Sequence, residues 1–299
     1  MNTGGGNFLM KKKSGGLVRK INFADAVIVF ILLLFTCLAL YPFIYTVAGS
    51  FNDGIDFEYG GIWFFPRKFT LANYQAVFFD DRLYRAFLNT VVSTVAGVAG
   101  GLIFTSCVAY AMSHNRLKGK KIFWTINMIT MFFGGGLIPY FMLIVNIGLY
   151  DSFLVYIVPA LYSVYNMIVL TSFFKGIDTS MRESAMMDGA NEFRIWWSLY
   201  LPVSTPALAT VGLWLAVARW NSYMPTLVYT KKDESMWLLQ YYLMRIIKDA
   251  SLPDADPSIS QQISSRTISF VVATIPIFCV YPFVSKYFTK GVMLGAIKG

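Results

Sequence analysis

Apolar residues in this chain come in long runs, with few polar positions to mark a solvated face. A helix crosses the bilayer core with about 20 mostly apolar residues. Six stretches meet that length, at about 24–50, 87–112, 122–147, 153–174, 205–229 and 268–288. A soluble helical bundle would show a polar stripe on each helix, and these stretches lack one. Pro42, Gly100, Gly101, Pro139, Pro159, Gly212 and Pro276 fall inside the runs. Neighbouring helices can re-satisfy backbone groups freed by such residues. The pattern predicts an all-α membrane protein with six transmembrane helices.

Composition supports that class. Hydrophobic residues make up 56% of the 299 positions and charged residues 14%, and mean hydropathy is +0.55. Soluble domains carry about 25% charged residues. The net charge of +9 is informative through its placement. With the N-terminus in the cytoplasm, fifteen Lys and Arg fall on inside segments and nine on outside loops, as the positive-inside rule requires. Both termini are then cytoplasmic. Basic residues spread over membrane-flanking loops exclude a nucleic-acid surface. Residues 1–20 read as a flexible cytoplasmic tail and 21–299 as the six-span domain. The first apolar run is too long for a cleavable leader and reads as a retained anchor.

Catalytic chemistry finds little to stand on. Cys37, Cys107 and Cys279 all fall within spans, without metal or redox spacing. His114 is the only histidine, so neither a His-based triad nor a His cluster for a metal can form. No Gly-x-x-x-x-Gly-Lys-Ser/Thr phosphate loop is present. The chain reads as no enzyme, with no cofactor or metal of its own.

The inside segment from Lys175 to Pro202 breaks the apolar pattern. Ser180 followed by Glu183 forms a capping box, which predicts a short helix from about Met181. Gly189 can stop it. Asn191 can cap a second short helix ending before Pro202, rich in Phe193, Trp196, Trp197 and Tyr200, residues that favour the membrane interface. Physical reasoning leaves two readings open: an ordinary cytoplasmic loop, or a capped peg fitting a partner's socket.

The run Glu183-Ser-Ala-Met-Met-Asp-Gly-Ala190, continuing to Leu201-Pro202, resembles the signature of ABC importer permeases. Glu183, Ala185, Gly189, Leu201 and Pro202 match in type and spacing, and Asp188 and Ala190 match the form found in carbohydrate permeases. Ser184 stands for the signature's middle alanine and Leu199 for its isoleucine. Further stretches resemble the same family: 66–74, 133–139, Gly148 to Asp151, 166–177, and Trp220-Asn221 with Tyr223 and Pro225. The likeness covers about residues 20–299 and is nearest the maltose-permease-like second subunits that handle complex oligosaccharides in Gram-positive bacteria.

The resemblance implies a type I importer fold in the bacterial cell membrane. It implies a coupling helix within about 179–202 that docks on a cytoplasmic ATPase through Glu183, Ser184, Ala185, Asp188, Gly189, Ala190 and Pro202. The implied assembly adds a second homologous permease, two ATPase subunits that bind ATP and Mg, and an extracellular solute-binding protein that delivers an oligosaccharide. Gly189 would provide an elbow, through positive φ or through close approach of another backbone. Glu183 would cap its helix, pair with the ATPase, or both. In the fifth span, Arg219-Trp220-Asn221-Ser-Tyr223 brings a charge into apolar surroundings at a cost of about 2.5–3.5 kcal/mol at the bilayer centre. Arg219, Trp220, Asn221 and Tyr223 are therefore candidates for the translocation path or substrate, where Arg219 would meet hydroxyls or a uronate carboxylate. Snorkelling or pairing with the second permease stays open. A permease for a non-sugar solute, or a stand-alone secondary transporter, would serve the same topology; against the latter stands the lack of a chain of acids within the spans.

Overall fold

Helices form along the apolar runs, and the breaks within those runs fall at clustered Gly, at Pro or at a capping side chain. The computed structural model describes residues 23–78 and 80–249, with scattered positions from 268 to 279. Two compact units are present, Met1–Tyr45 and Thr46–Gly299. No β-strand forms among the described residues; Asn52 and Phe69 make one isolated antiparallel bridge.

Helix α1 (Phe23–Ser50) runs through Pro42 without breaking and exposes Phe30, Leu33 and Phe35. Helix α2 (Asp81–Ser113) is the longest element, capped by the Asp80 carboxylate, which accepts from the Arg82 N–H at 2.9 Å. Among the described residues these two are the helices long and apolar enough to cross a membrane unaided.

The third, fourth and fifth expected spans are each broken. The third divides into α3 (Lys120–Phe132) and α4 (Leu137–Asn146), bent by 117°. The cause is the Gly134–Gly136 run, with Gly136 at φ +83°, where side-chained residues rarely go. The fourth consists of two 3₁₀ turns, Phe153–Tyr156 and Val158–Ala160, then α5 (Val164–Lys175), which Ser163 caps; the bend is 42°. The fifth begins as expected with α8 (Thr205–Trp220), after α6 (Thr179–Met187) and α7 (Glu192–Val203). It stops at Asn221 and resumes as α9 (Met224–Tyr229), with Pro225 in the first turn. Helix α10 (Leu239–Asp249) follows. The expected sixth span and the N-terminal tail lie outside the described residues, apart from scattered positions of the former.

Within the second unit, α2 is the spine against which α5 and α8 pack. Near its N-terminal end, Leu83 and Ala86 join Trp220, Trp237, Leu239 and Tyr241 in one apolar cluster. Near its C-terminal end, Ala109, Tyr110 and Met112 join Met167, Leu170, Phe174, Trp196 and Tyr200 in another. Several polar groups on α2 pair across to its neighbours, although Thr94 Oγ1 is buried without a partner among the described residues. Asn89 Nδ2 donates to the Ser235 and Trp237 carbonyls at 2.7 and 3.1 Å. Thr90 Oγ1 accepts from the Leu239 N–H at 2.8 Å. Thr105 donates to the Leu161 carbonyl at 3.2 Å, and Thr171 to the Ala109 carbonyl at 3.3 Å.

The segment joining α1 to α2 is organised by Asn52, which is fully buried. Its Oδ1 accepts from the Arg67 and Lys68 N–H groups, both at 2.8 Å. Its Nδ2 donates to the Asp53 carbonyl and the Asp56 carboxylate. Removing this side chain strands two partly buried N–H donors, each costing about 1–3 kcal/mol when water cannot replace the partner. Asn52→Ala should therefore destabilise the segment by about 2 kcal/mol or more and speed hydrogen exchange at the Arg67 and Lys68 amides. Unchanged exchange at both amides would contradict this role.

Candidate functional site

The inside segment folds as two capped helices joined by a glycine turn. Helix α6 starts two residues earlier than the expected capping box. Asp178, not Ser180, is the cap, its carboxylate accepting from the Ser180 N–H at 2.9 Å. That bond holds the Asp178 carboxyl below its ordinary range. Glu183 does not reach back as an N3 partner. It is exposed and makes no ion pair among the described residues. Aspartate at the cap satisfies the first-turn donors and carries a charge favourable at a helix N-terminus, leaving Glu183 free for another surface.

Gly189 ends α6 in a Schellman turn. Its N–H donates to the Met186 carbonyl and the Ala190 N–H to the Ala185 carbonyl, both at 3.0 Å. Of the two explanations for this glycine, φ applies: it sits at +79°, and nothing lies within 4 Å of where a Cβ would project. Ala185 and Ala190 pack against the cluster at the C-terminal end of α2, while Ser184, Asp188 and Gly189 stay exposed. Asn191 caps α7 as expected, accepting from the Arg194 N–H at 2.8 Å.

Helix α7 does not end before Pro202. It passes through a π-helical turn, Trp196–Tyr200, and continues to Val203. A proline within a helix lacks an N–H and crowds the carbonyl four residues earlier; the widened π turn relieves that crowding. The chain then bends 84° into α8. Trp196 and Tyr200 are buried, whereas Phe193 and Trp197 remain exposed.

Sequence reasoning missed the polar group that ties this segment to α2. Glu192 accepts from Arg182 on one carboxylate oxygen and from the Tyr110 hydroxyl on the other. Burial pushes the Glu192 carboxyl up, but the two hydrogen bonds outweigh it and hold it below its ordinary value. His114 lies edge-on to Tyr110 and Tyr200, with ring centroids at 4.5 and 5.8 Å. Its Nε2 is buried without a partner among the described residues. A separation of ten residues between Arg182 and Glu192 matches no helical pairing rule, so the sequence offered no signal for the group.

The fifth-span candidates are divided by the structure. Arg219 lies on a cavity of about 280 Å³, lined also by Ser93, Tyr156, Tyr162, Ser163 and Ser222. Its Nη1 donates to the Tyr156 carbonyl. It makes no ion pair among the described residues. The guanidinium lies across Gly97 of α2, where a Cβ would fall 2.9 Å from Arg219 Cδ and 3.0 Å from Nε. The Tyr156 ring is fixed from behind. Its hydroxyl donates to the Met236 carbonyl at 2.9 Å and accepts from Thr226, also at 2.9 Å, and Thr230. Trp220 is not a candidate sugar face: it is buried in the core, edge-on to Phe87 at 5.8 Å. Its large apolar ring fills the α2–α8 contact. Asn221 is exposed, and its amide donates to the Val217 carbonyl; Tyr223 is exposed nearby.

No protein-family model matches the chain. Individual proteins do. Over 283 residues the chain is 36% identical to the polygalacturonan/rhamnogalacturonan transport system permease protein YtcP of Bacillus subtilis (strain 168), covering 92% of this chain and 98% of that one. The chain belongs to the ABC sugar-importer permeases. It is also 32% identical over 267 residues to protein LplC of the same bacterium, covering 88% and 90% of the two chains. Among solved structures it resembles a chain of a bacterial ABC transporter involved in the import of the acidic polysaccharide alginate, at 31% identity and a TM-score of 0.82. That match covers 92% of this chain and 100% of the other. The protein is thus an integral membrane permease and not an enzyme, and ATP is hydrolysed by a separate subunit.

The histidine of this permease carries a pH signature. Burial pushes the His114 imidazole below its ordinary value of 6.5; Arg182 and Lys120 add to this and Glu192 opposes it. The aromatic neighbours Tyr110 and Tyr200 are uncharged near neutral pH. The folded chain therefore binds the proton less readily than the unfolded chain. Stability is full above pH 6.5 and falls as the pH drops below it. Glu192, shifted in the same direction from 4.5, adds its loss only at lower pH. The purified permease should melt a few degrees lower at about pH 5.5 than at pH 7.5, and His114→Gln should flatten that difference. Equal pH dependence in both proteins would contradict the assignment.

Proposed function

We propose that this chain is one of two permease subunits of an ATP-driven importer, and that its substrate is an acidic oligosaccharide of the uronate class. The observation that carries the substrate class is Arg219: a half-buried guanidinium on a cavity, bonded to a main-chain carbonyl, with no carboxylate paired to it among the described residues. Such a group gains most from a carboxylate brought by a ligand, because charge-assisted bonds strengthen where water is scarce. Serine hydroxyls and tyrosines around the same cavity suit sugar hydroxyls. The names of the relatives agree in kind: one transports polygalacturonan and rhamnogalacturonan, and another belongs to an alginate importer.

In this reading residues 21–299 form one six-span domain, residues 1–20 are a cytoplasmic tail, and both termini are cytoplasmic. Helix α6 with its glycine turn is the coupling helix. Glu183, Ser184 and Asp188, all exposed, face the ATPase, while Ala185, Ala190 and Pro202 set the shape of the peg. ATP and Mg bind to the ATPase alone. A solute-binding protein presents the sugar from outside. A related alginate importer has been crystallised with its alginate pentasaccharide-bound periplasmic protein.

Uptake by the reconstituted importer distinguishes the substrate classes. Arg219→Gln should lower uptake of a uronate oligosaccharide about tenfold to a hundredfold, the equivalent of about 1.5–3 kcal/mol for a hydrogen bond to a charged group. Uptake of the same oligosaccharide with its carboxyls reduced to alcohols should be slow in both proteins and equal between them. An equal loss on both substrates would show that Arg219 is structural. Faster uptake of the neutral sugar would overturn the acidic class, and uptake of neither would favour a non-sugar solute.

A further inference from the structure

Helix α6 buries none of its nine residues, yet a peg that transmits force must be fixed at its base. Backbone bonds fix one end through the Gly189 turn. Ala185 adds apolar contact with the cluster at the end of α2, and the polar attachment is the Arg182 side chain, which is only 12% exposed. Arg182 reaches across the turn to Glu192 in the first turn of α7, and Glu192 is held at the same time by the hydroxyl of Tyr110 on α2. One carboxylate therefore joins three helices.

The Tyr110 end of this joint is rigid. Tyr110 is buried, stacked edge-on against Tyr200 at 4.8 Å and His114 at 4.5 Å. From Tyr110, α2 runs unbroken back to Gly97, which lies under the Arg219 guanidinium. Thirteen residues of helix span about 20 Å. An unbroken helix of that length can move as one body, whereas α7, with its π turn, and the broken third and fourth spans offer no such continuous path.

We propose that Glu192 is the positioning residue that passes movement of α6 to α2, and through α2 to the wall of the Arg219 cavity. The proposal rests on the reading of α6 as the ATPase-docking helix. Tyr110 and Arg182 act as the two jaws: Arg182 moves with the peg, Tyr110 moves with the span, and the carboxylate keeps them in register. An open recess of about 440 Å³ lined by Cys107, His114, Arg182, Glu192 and Trp196 lies beside the joint. Loss of the carboxylate would let Arg182 swing into it and leave α6 free to move without α2.

The test uses the complete importer, with both permeases, the ATPases and the binding protein, in liposomes. Sugar uptake and ATP hydrolysis are read together for Glu192→Gln, Arg182→Glu, Tyr110→Phe and the exchange of Arg182→Glu with Glu192→Arg. Uptake per ATP should fall about fivefold or more in the two charge variants, the low end of typical site-to-site coupling, while hydrolysis continues. The exchanged pair should recover part of the loss. Tyr110→Phe, which removes one oxygen atom and is least able to disturb assembly, should show a smaller loss of the same kind. Unchanged uptake per ATP in Glu192→Gln and Tyr110→Phe would overturn the proposal, as would an exchanged pair no better than its single variants. Met186→Cys, cross-linked to the ATPase, separates the two levels. Absent cross-links would overturn the docking reading, whereas cross-links with unchanged uptake per ATP would overturn the Glu192 joint alone.

Discussion

Inside a bilayer an unpaired polar group has no water to turn to, and leaving one costs several kcal/mol. This constraint orders the second unit of the chain. Asn89, Thr90, Thr105 and Thr171 each bond to backbone on another element, so the contacts of α2 with its neighbours are specified by polar pairs within apolar packing. The non-helical turn Phe153–Tyr156 that interrupts the fourth span falls under the same rule, with Val155 and Tyr156 buried: irregular backbone at membrane depth is tolerated where protein or a cavity covers it. The Tyr156 main chain lies in this interruption, and its carbonyl is the group that receives Arg219.

Arg219 is where the constraint is only partly met. A single carbonyl cannot satisfy five N–H donors, and the cavity beside it supplies hydroxyls rather than a carboxylate. A guanidinium on a cavity without a carboxylate partner among the described residues is suited to a transported anion, because a permanent acidic partner would compete with the cargo. Gly97 makes the arrangement possible, since any side chain there would displace the guanidinium. At the other end of the same helix, Tyr110 holds the carboxylate that binds the peg. The two features that distinguish this permease from a plain apolar bundle thus share one unbroken helix, the route we propose for coupling between the docking segment and the cavity.

Much of this was legible in the sequence, for identifiable reasons. Long apolar runs gave the all-helical membrane class and the unbroken helices α1 and α2 because length and hydropathy decide them. The runs at 122–147, 153–174 and 205–229 are instead broken, and the run at 268–288 lies outside the described residues apart from scattered positions. The glycine after α6 and the asparagine before α7 were readable because turn and cap chemistry is local. The departures share another cause. Asp178 took the cap from Ser180 because both residues can serve and only three-dimensional placement chooses between them. The Gly134–Gly136 run sits in an apolar stretch that hydropathy cannot distinguish from continuous helix. Pro202 was read as a stop, but a π turn absorbed it. Trp220, adjacent to Arg219 in sequence, is turned about 100° from it around α8 and packs into the core against Phe87. The Arg182–Glu192–Tyr110 group left no trace because its members are 10 and 82 residues apart, with no periodicity to connect them.

We propose that the Arg219 cavity receives an acidic sugar, and this can be read at its wall. Ser222 lines that cavity and is small enough to replace. The most direct measurement places Ser222→Cys in a chain whose Cys37, Cys107 and Cys279 are changed to serine or alanine, within the assembled importer. The rate of its modification by a membrane-impermeant thiol reagent is then followed. Modification should occur in at least one nucleotide state, and a uronate oligosaccharide with its binding protein should slow it while the carboxyl-reduced sugar does not. A cysteine that reacts at the same rate with and without the acidic sugar, in every nucleotide state, would contradict the account.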